Sequence, residues 1–335
     1  MGFTGDVSRT SNARIAIWGA TGAIGRSLSD ALRVAGHSYR VVGRSQASLQ
    51  REFGSDPLAE LVTWNPDDPA SIQTAAAGIE TIVYVVGVPY WQFALHPKLM
   101  RATIDGAVAA GVKQIVLITN VYPYGLPQTT PVHENHPRNP QTFKGRMRKE
   151  QEDLLLAADR EGRLQGTVLR LPDFYGPAVE TSLLSGVFAA AASGKSAQIL
   201  GPIDTPHEFI FVPDVGPVVL RLAGEPRAHG RWWHLAGSGV TTQRAMLEKI
   251  YALAGVQPKF FVVQNWMLRI FGVFSPLMRE LVEMHYLQTN PVLLDDSAIH
   301  ELLGPIQKTS YDEGVQRILD VTRVAAPDQR SLTAR

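Results

Sequence analysis

The segment that most restricts the fold of this 335-residue chain is Ile15-Ala-Ile-Trp18, followed at once by Gly19-Ala-Thr-Gly22-Ala-Ile-Gly25. A short apolar run containing β-branched residues reads as a buried strand, because a helix needs a longer periodic stretch. Past the first glycines, Ile24, Leu28, Leu32 and Ala35 recur at a helical interval along one face. A strand that enters a helix through a G-x-x-G-x-x-G loop lets backbone approach a pyrophosphate and aims helix N–H groups at it. Gly19, Thr21, Gly22, Ala23, Ile24 and Gly25 are therefore the expected phosphate-binding residues of a dinucleotide site. The plainer reading, three glycines that only close a tight turn, does not account for the strand before them and the helix after them.

The same alternation continues. Strands are expected at 39–42, 61–64, 81–86, 114–118 and 167–171, with a helix marked by Met100, Ile104 and Val108 that stops at Ala110-Gly111. Strands that are apolar throughout, separated by helical segments, predict a parallel sheet covered on both faces. Right-handed crossovers make this a doubly wound α/β sheet of the Rossmann type. After Leu171 the alternation loosens. Segments 209–212 and 232–235 read as returning strands, and 259–287, rich in Phe, Met and Trp, reads as helices. The expected organisation is a dinucleotide-binding domain over 13–178 with returning segments at about 208–238. A smaller, interleaved C-terminal substrate lobe takes 179–207 and 239–324, and disordered tails take 1–12 and 325–335.

Composition removes several alternatives. At 45% hydrophobic and 19% charged the chain can bury a core, and 32 basic residues against 31 acidic ones leave no basic excess for nucleic acid. There is no cysteine, which excludes disulfides and thiolate chemistry, and no two histidines have the His-x-x-x-His spacing of a helical metal site. The polar first dozen residues lack the apolar centre of a signal peptide, and no long uncharged apolar stretch offers a membrane span. A cytoplasmic protein with no metal, no nucleic-acid partner and no membrane contact is expected.

The end of the second strand bears on the choice of dinucleotide. An acidic residue about 20 positions beyond the glycines would hold a ribose 2′-hydroxyl. This chain instead has Gly43-Arg44-Ser45, and the Arg44 guanidinium can bind a 2′-phosphate, which favours NADP over NAD. Arg44 as a solvated loop residue is the alternative. Asn65, after the third strand, is expected near the adenine, and Gly87, after the fourth, near the cofactor backbone.

Four stretches together resemble the extended short-chain dehydrogenase/reductase superfamily, in its NAD(P)-dependent epimerase/dehydratase branch. They are the glycine loop, Thr119-Asn-Val-Tyr122-Pro-Tyr124-Gly125, Arg170-Leu-Pro-Asp-Phe-Tyr175-Gly-Pro177, and His207-Glu-Phe-Ile-Phe-Val212-Pro-Asp214-Val. The resemblance spans about 13 to 321 and implies an NAD(P)-dependent enzyme with a small-molecule substrate and a homodimeric assembly. It also implies that Pro172 and Phe174 border the nicotinamide end, and Thr119, one step before Asn120, is a further expected cofactor-binding residue. Reductases of this superfamily carry Ser or Thr after the fifth strand and Tyr-x-x-x-Lys on the next helix. Here Asn120 takes the hydroxyl position, Lys144 and Arg148 align with the Tyr and Lys positions, and no tyrosine lies between Tyr124 and Tyr175.

The expected substitutes are Tyr122 or Tyr124 as proton donor, with Lys144 or Arg148 lowering its pKa or holding ribose, and Asn120 on the substrate oxygen. Alternatively Lys144, Arg148 and Glu152, four apart, form only a solvated salt-linked helix face. His207 stands where nucleotide-sugar members have an arginine that holds a diphosphate, and a neutral imidazole is a poorer clamp. Trp91, Phe93, Phe260, Phe261, Trp266, Met267, Phe271, Phe274, Met278, Met284 and Tyr286 offer apolar contacts for a substrate. The leading expectation is an NADP(H)-dependent oxidoreductase acting on a carbonyl or activated double bond of a small, fairly apolar molecule. The rivals are an epimerase or dehydratase of a sugar-like substrate using bound NAD(P), and a non-catalytic NADP(H) sensor.

Overall fold

The structure, a computed structural model, describes residues 14–180, 182–271 and 276–325. The tails expected at 1–12 and 325–335 lie outside the described residues, apart from Ala325, which closes the last helix.

β1 (Ile15–Trp18) passes through the glycine loop into α1 (Ala23–Val34). There follow β2 (Tyr39–Gly43), α2 (Gln46–Phe53), β3 (Ala59–Thr63), α3 (Pro69–Ala76), β4 (Thr81–Tyr84), α4 (Leu95–Ala109), β5 (Gln114–Asn120), α5 (Phe143–Arg160) and β6 (Gln165–Leu171). The chain then gives β7 (Asp173–Tyr175), α6 (Ser185–Ala192), β8 (Ala197–Leu200), β9 (Pro206–His207), β10 (Phe209–Phe211), α7 (Val212–Ala223) and β11 (Arg231–His234). It ends with β12 (Thr241–Thr242), α8 (Gln243–Ala254), β13 (Phe260–Val263), α9 (Asn265–Phe271), α10 (Pro276–Met284), α11 (Tyr286–Thr289), α12 (Ser297–Leu303) and α13 (Tyr311–Ala325).

Seven strands form one parallel sheet in the order β3-β2-β1-β4-β5-β6-β11. The order reverses between β1 and β4, where a crevice opens at the carboxyl ends of the strands. Alternate side chains of β1 enter opposite layers. Ile17 joins Leu28, Leu49 and Val215 under α1, α2 and α7, whereas Ala16 and Trp18 join Ile72, Met100 and Leu155 under α3, α4 and α5. Both faces are buried, which is why these strands read as continuous apolar runs.

The expected strand at 232–235 is β11, the edge strand beside β6, and 209–212 gives β10, which pairs with β7. The stretch at 259–287 differs from the expected run of helices. It opens with β13, which pairs in parallel with β8 from Phe260↔Ala197 to Val263↔Leu200. Four consecutive apolar residues do not distinguish a strand from a helical turn by periodicity alone. β8, β13, α6, α8 and α13 enclose a third core around Phe188, Met246, Tyr251 and Leu319. Among the described residues no helix is long and apolar enough to cross a membrane.

Candidate functional site

A cleft of about 460 Å³ opens at the carboxyl edge of the sheet. It is bordered by Gly19, Thr21, Gly22, Ala23, Ile24 and Gly25 from the β1–α1 loop, by Gly43 and Arg44 after β2, by Val85 to Gly87 after β4, and by Phe174 on β7. The loop geometry depends on glycine. Gly19 has φ +90°, and a Cβ there would lie 2.9 Å from the Val85 carbonyl. A Cβ on Gly25 would fall 2.6 Å from both the Cα and the carbonyl oxygen of Ala20, so glycine sets how closely α1 approaches β1. Gly22 offers no side-chain cap to α1. The first N–H groups of that helix are therefore left for an anion in the cleft.

Arg44 is exposed and makes no hydrogen bond or ion pair among the described residues. It stands just before Ser45, whose hydroxyl caps α2 by accepting from Ser48 N at 3.3 Å. The cleft holds a second arginine that the sequence argument missed, Arg26, but its guanidinium is committed to Glu52 at 3.0 Å and to the Thr21 carbonyl at 3.0 Å. Trp64, also missed, borders the cleft just past β3, its ring edge-on to Trp18 at 6.1 Å. Asn65, the next residue, is occupied elsewhere: its N–H donates to Ser71 Oγ at 2.9 Å and its Oδ1 accepts from Asp67 N at 3.1 Å. Thr119 is buried with no partner for its hydroxyl, and Pro172 is buried between β6 and β7. Asn65, Thr119 and Pro172 do not border the cleft. A glycine cradle, an uncapped helix start and a free guanidinium make a donor set that fits the diphosphate and the ribose phosphate of a dinucleotide.

A narrower cavity of about 60 Å³ lies beyond β7. Leu183, Leu200, Leu268, Leu281, Met284 and Leu287 supply its apolar wall, and Tyr90, Tyr122, Asp173, His285 and Gln288 its polar atoms. The two spaces share walls. Phe174 borders the cleft and its neighbour Asp173 the cavity, as side chains on opposite faces of a strand must. Of the aromatic and Met residues expected to line a pocket, Met284 does so. Trp91, Phe261 and Trp266 are exposed, and Phe274 lies outside the described residues.

The two candidate tyrosines have different surroundings. Tyr124 is fully buried, and its hydroxyl lies 2.5 Å from His234 Nε2. His234 donates from Nδ1 to the Asp295 carbonyl at 2.8 Å, and burial beside Arg170 pulls its pKa down to about 3. The neutral ring thus accepts from Tyr124, whose proton is committed inward. Burial pushes Tyr124 itself up to about 12. Tyr122 instead borders the cavity, with its hydroxyl 2.6 Å from that of Tyr90. Burial, Tyr90 and Asp173 hold the Tyr122 phenol well above its ordinary value, and Arg148 alone draws it down. The expected lowering by a basic neighbour is therefore outweighed. Both phenols stay protonated near neutral pH, so one proton bridges the pair and the other is left for a substrate oxygen. Asn120, at the end of β5, accepts from Tyr122 N through Oδ1 at 3.1 Å and so fixes the turn that presents this tyrosine.

Lys144 and Arg148 do not form a solvated face. Lys144 is fully buried, paired with Glu280 and with Glu283 at 2.5 Å, and its ammonium lies 5.5 Å from the Tyr90 ring centroid. Two carboxylates from α10 thus neutralise it twice over and tie α10 to α5. Half-buried Arg148 lies 5.6 Å from the Phe93 ring centroid and donates to Gln151 at 2.9 Å. Burial lowers the Arg148 pKa. Glu152 turns the other way, to Arg170 at 3.0 Å and Arg138 at 3.1 Å. Tyr90 and Asp173 escaped the sequence argument because their partners, Tyr122 and His207, are 32 and 34 residues away. Hydroxyl and carboxylate residues near strand exits were the only local signal.

The sequence pattern of the NAD dependent epimerase/dehydratase family matches residues 15–236. A dTDP-6-deoxy-L-talose 4-dehydrogenase (NAD(P)(+)) of Kitasatospora kifunensis is 28% identical over 266 residues, 74% of this chain and 81% of that protein. Among solved structures, a double mutant of the dTDP-glucose 4,6-dehydratase of Streptomyces venezuelae, with NAD bound, superposes with a TM-score of 0.77 at 16% identity, covering 96% of this chain and 98% of that one. The UDP-N-acetylglucosamine 4-epimerase of Bacillus cereus gives 0.75 at 15% identity, covering 93% and 96%. These solved structures share the fold.

Proposed function

The chain belongs to the NAD dependent epimerase/dehydratase family, and from that membership we propose that it is an NADP(H)-dependent oxidoreductase acting on a carbonyl or activated double bond of a small, fairly apolar molecule. The observation that carries the reading is the Tyr122–Tyr90 phenol pair, set in an apolar cavity that shares β7 with the dinucleotide cleft. When bound, the nicotinamide donates or accepts the hydride. The chain's own residues do the rest. The glycine loop and the start of α1 hold the diphosphate, and Arg44 takes the 2′-phosphate. Tyr122 delivers the free phenol proton to the substrate oxygen, Tyr90 holds its hydroxyl, and Asn120 holds its turn. The leucine wall keeps bulk water from the reacting atoms.

Purified protein incubated with NADPH or NADH and a panel of ketones and enones tests this. Reduction with NADPH preferred is the expected result, and binding of NADPH without turnover of any member would count against it. Similarity to a sugar-nucleotide dehydrogenase favours a second reading, transient oxidation of a sugar-like substrate by retained NAD(P). That reading requires near-stoichiometric cofactor in the purified protein, and a freely exchanging cofactor overturns it.

A further inference from the structure

Asp173 is the one carboxylate bordering the narrow cavity, and no lysine or arginine borders it among the described residues. Its Oδ2 accepts from His207 Nε2 at 2.8 Å, and its other oxygen has no hydrogen bond within the described chain. The His207 side chain is 11% exposed and the Asp173 side chain 39%, so the imidazole stands behind the carboxylate and the carboxylate faces the open space. The His207 ring packs 4.6 Å from the Phe209 ring, which fixes its direction. β7 pairs with β10 at Phe209↔Asp173, and His207, at the end of β9, stands two residues before Phe209, which brings it beside Asp173. This is a held carboxylate in an apolar chamber.

Beside the phenol pair, the other two polar side chains there are engaged with the protein. His285 Nε2 lies 3.0 Å from the Gly201 carbonyl, and Gln288 Oε1 accepts from Gln243 Nε2 at 2.6 Å. The nearby cation Lys144 is matched by Glu280 and Glu283, and Arg148 is turned onto Phe93 and Gln151. An anion entering the cavity would lose its water beside a like charge with no cation to receive it. A hydroxyl or an ammonium would find an acceptor with a free lone pair.

We propose that Asp173, held by His207, is the specificity-determining residue of the cavity, admitting uncharged or cationic substrates that carry an O–H or N–H donor and rejecting phosphorylated or carboxylated ones. The proposal rests on the oxidoreductase reading only for the chemistry, because the charge selection is a property of binding.

Four ring ketones of one shape serve as probes for the full chain: 4-aminocyclohexanone, 4-hydroxycyclohexanone, cyclohexanone and 4-oxocyclohexanecarboxylate. Binding is measured by calorimetry with NADP+ present, and turnover by NADPH oxidation. The amino and hydroxy ketones are expected to bind at least about tenfold more tightly than the carboxylate. Asp173→Asn should cut the amino-to-carboxylate affinity ratio by about tenfold or more, and Asp173→Ser supplies the same comparison if the first variant fails to fold. Equal affinities in the unaltered protein, an unchanged ratio in the variant, or no binding by any probe would overturn the proposal. If the charge order and its loss in the variant hold without turnover, the selection stands and the oxidoreductase reading falls.

Discussion

The hydroxyl of Tyr122 lies 2.6 Å from the hydroxyl of Tyr90, whereas that of Tyr124, two residues on, lies 2.5 Å from His234 Nε2. One phenol pair keeps a proton for the cavity, and the other donates into the protein. Tyr122→Phe is therefore expected to lower kcat by about 10²- to 10⁴-fold with little change in folding. Tyr124→Phe is expected to keep turnover and to lose about 1–3 kcal/mol of stability, because it leaves the buried His234 nitrogen without a donor. Steady-state kinetics and denaturant unfolding of both variants check this. Full activity in Tyr122→Phe removes Tyr122 as donor.

Arg44 stands free at the cleft, and its neighbour Arg26 is held by Glu52. Reversing the charge with Arg44→Asp is expected to weaken NADPH binding by roughly 10- to 100-fold and to leave NADH within a few-fold. Fluorescence titration of both cofactors measures it. Unchanged affinity for both makes Arg44 a bystander.

The fully buried Arg170 pairs with fully buried Glu152 and is sandwiched between Tyr124, at 4.5 Å, and Trp232, at 5.0 Å. Glu152→Gln leaves that guanidinium without its countercharge. An expected cost of about 3–5 kcal/mol follows from breaking a buried ion pair from one side. Calorimetric unfolding should show it as a fall in Tm, and a fall of under a degree contradicts it.

Glu208 is 5% exposed, and burial pushes its carboxyl up to about 7 even though Leu294 N donates to it at 2.8 Å. The folded chain thus holds this proton more tightly than the unfolded chain, where the group titrates near 4.5. Its contribution is complete below about pH 4.5 and is lost as pH rises through about 7, to a total of roughly 3 kcal/mol. Glu208→Gln should flatten that part of the stability profile and be the more stable form at alkaline pH. Urea unfolding across the range reads the slope directly.

What was legible in the chain was local. The sheet strands declared themselves as apolar runs because both faces of the sheet are covered, and the glycine loop because its three conformational demands fall within seven residues. β13 was misread because its four apolar residues gain meaning only from β8, some sixty positions earlier. The cavity was illegible for the same reason. Lys144 on α5 looks solvated until Glu280 and Glu283 arrive from α10, and Asp173 looks like a loop acid until His207 returns beside it. Glu152 was grouped with its helix neighbours, but its partner Arg170 lies on the strand that the helix covers.

β6 has β5 on one side and β11 on the other, and β11 is contributed by residues some sixty positions further along. During synthesis, therefore, the sheet emerges with an open edge of unpaired backbone groups from Thr167 to Arg170. It stays unsatisfied until Trp232 and His234 leave the ribosome. A message cut short within that interval would yield a polypeptide with a bare strand edge, and Tyr124 would lack its acceptor as well. Such fragments are candidates for chaperone capture and proteolysis, whereas in the finished chain β11 covers the edge of β6.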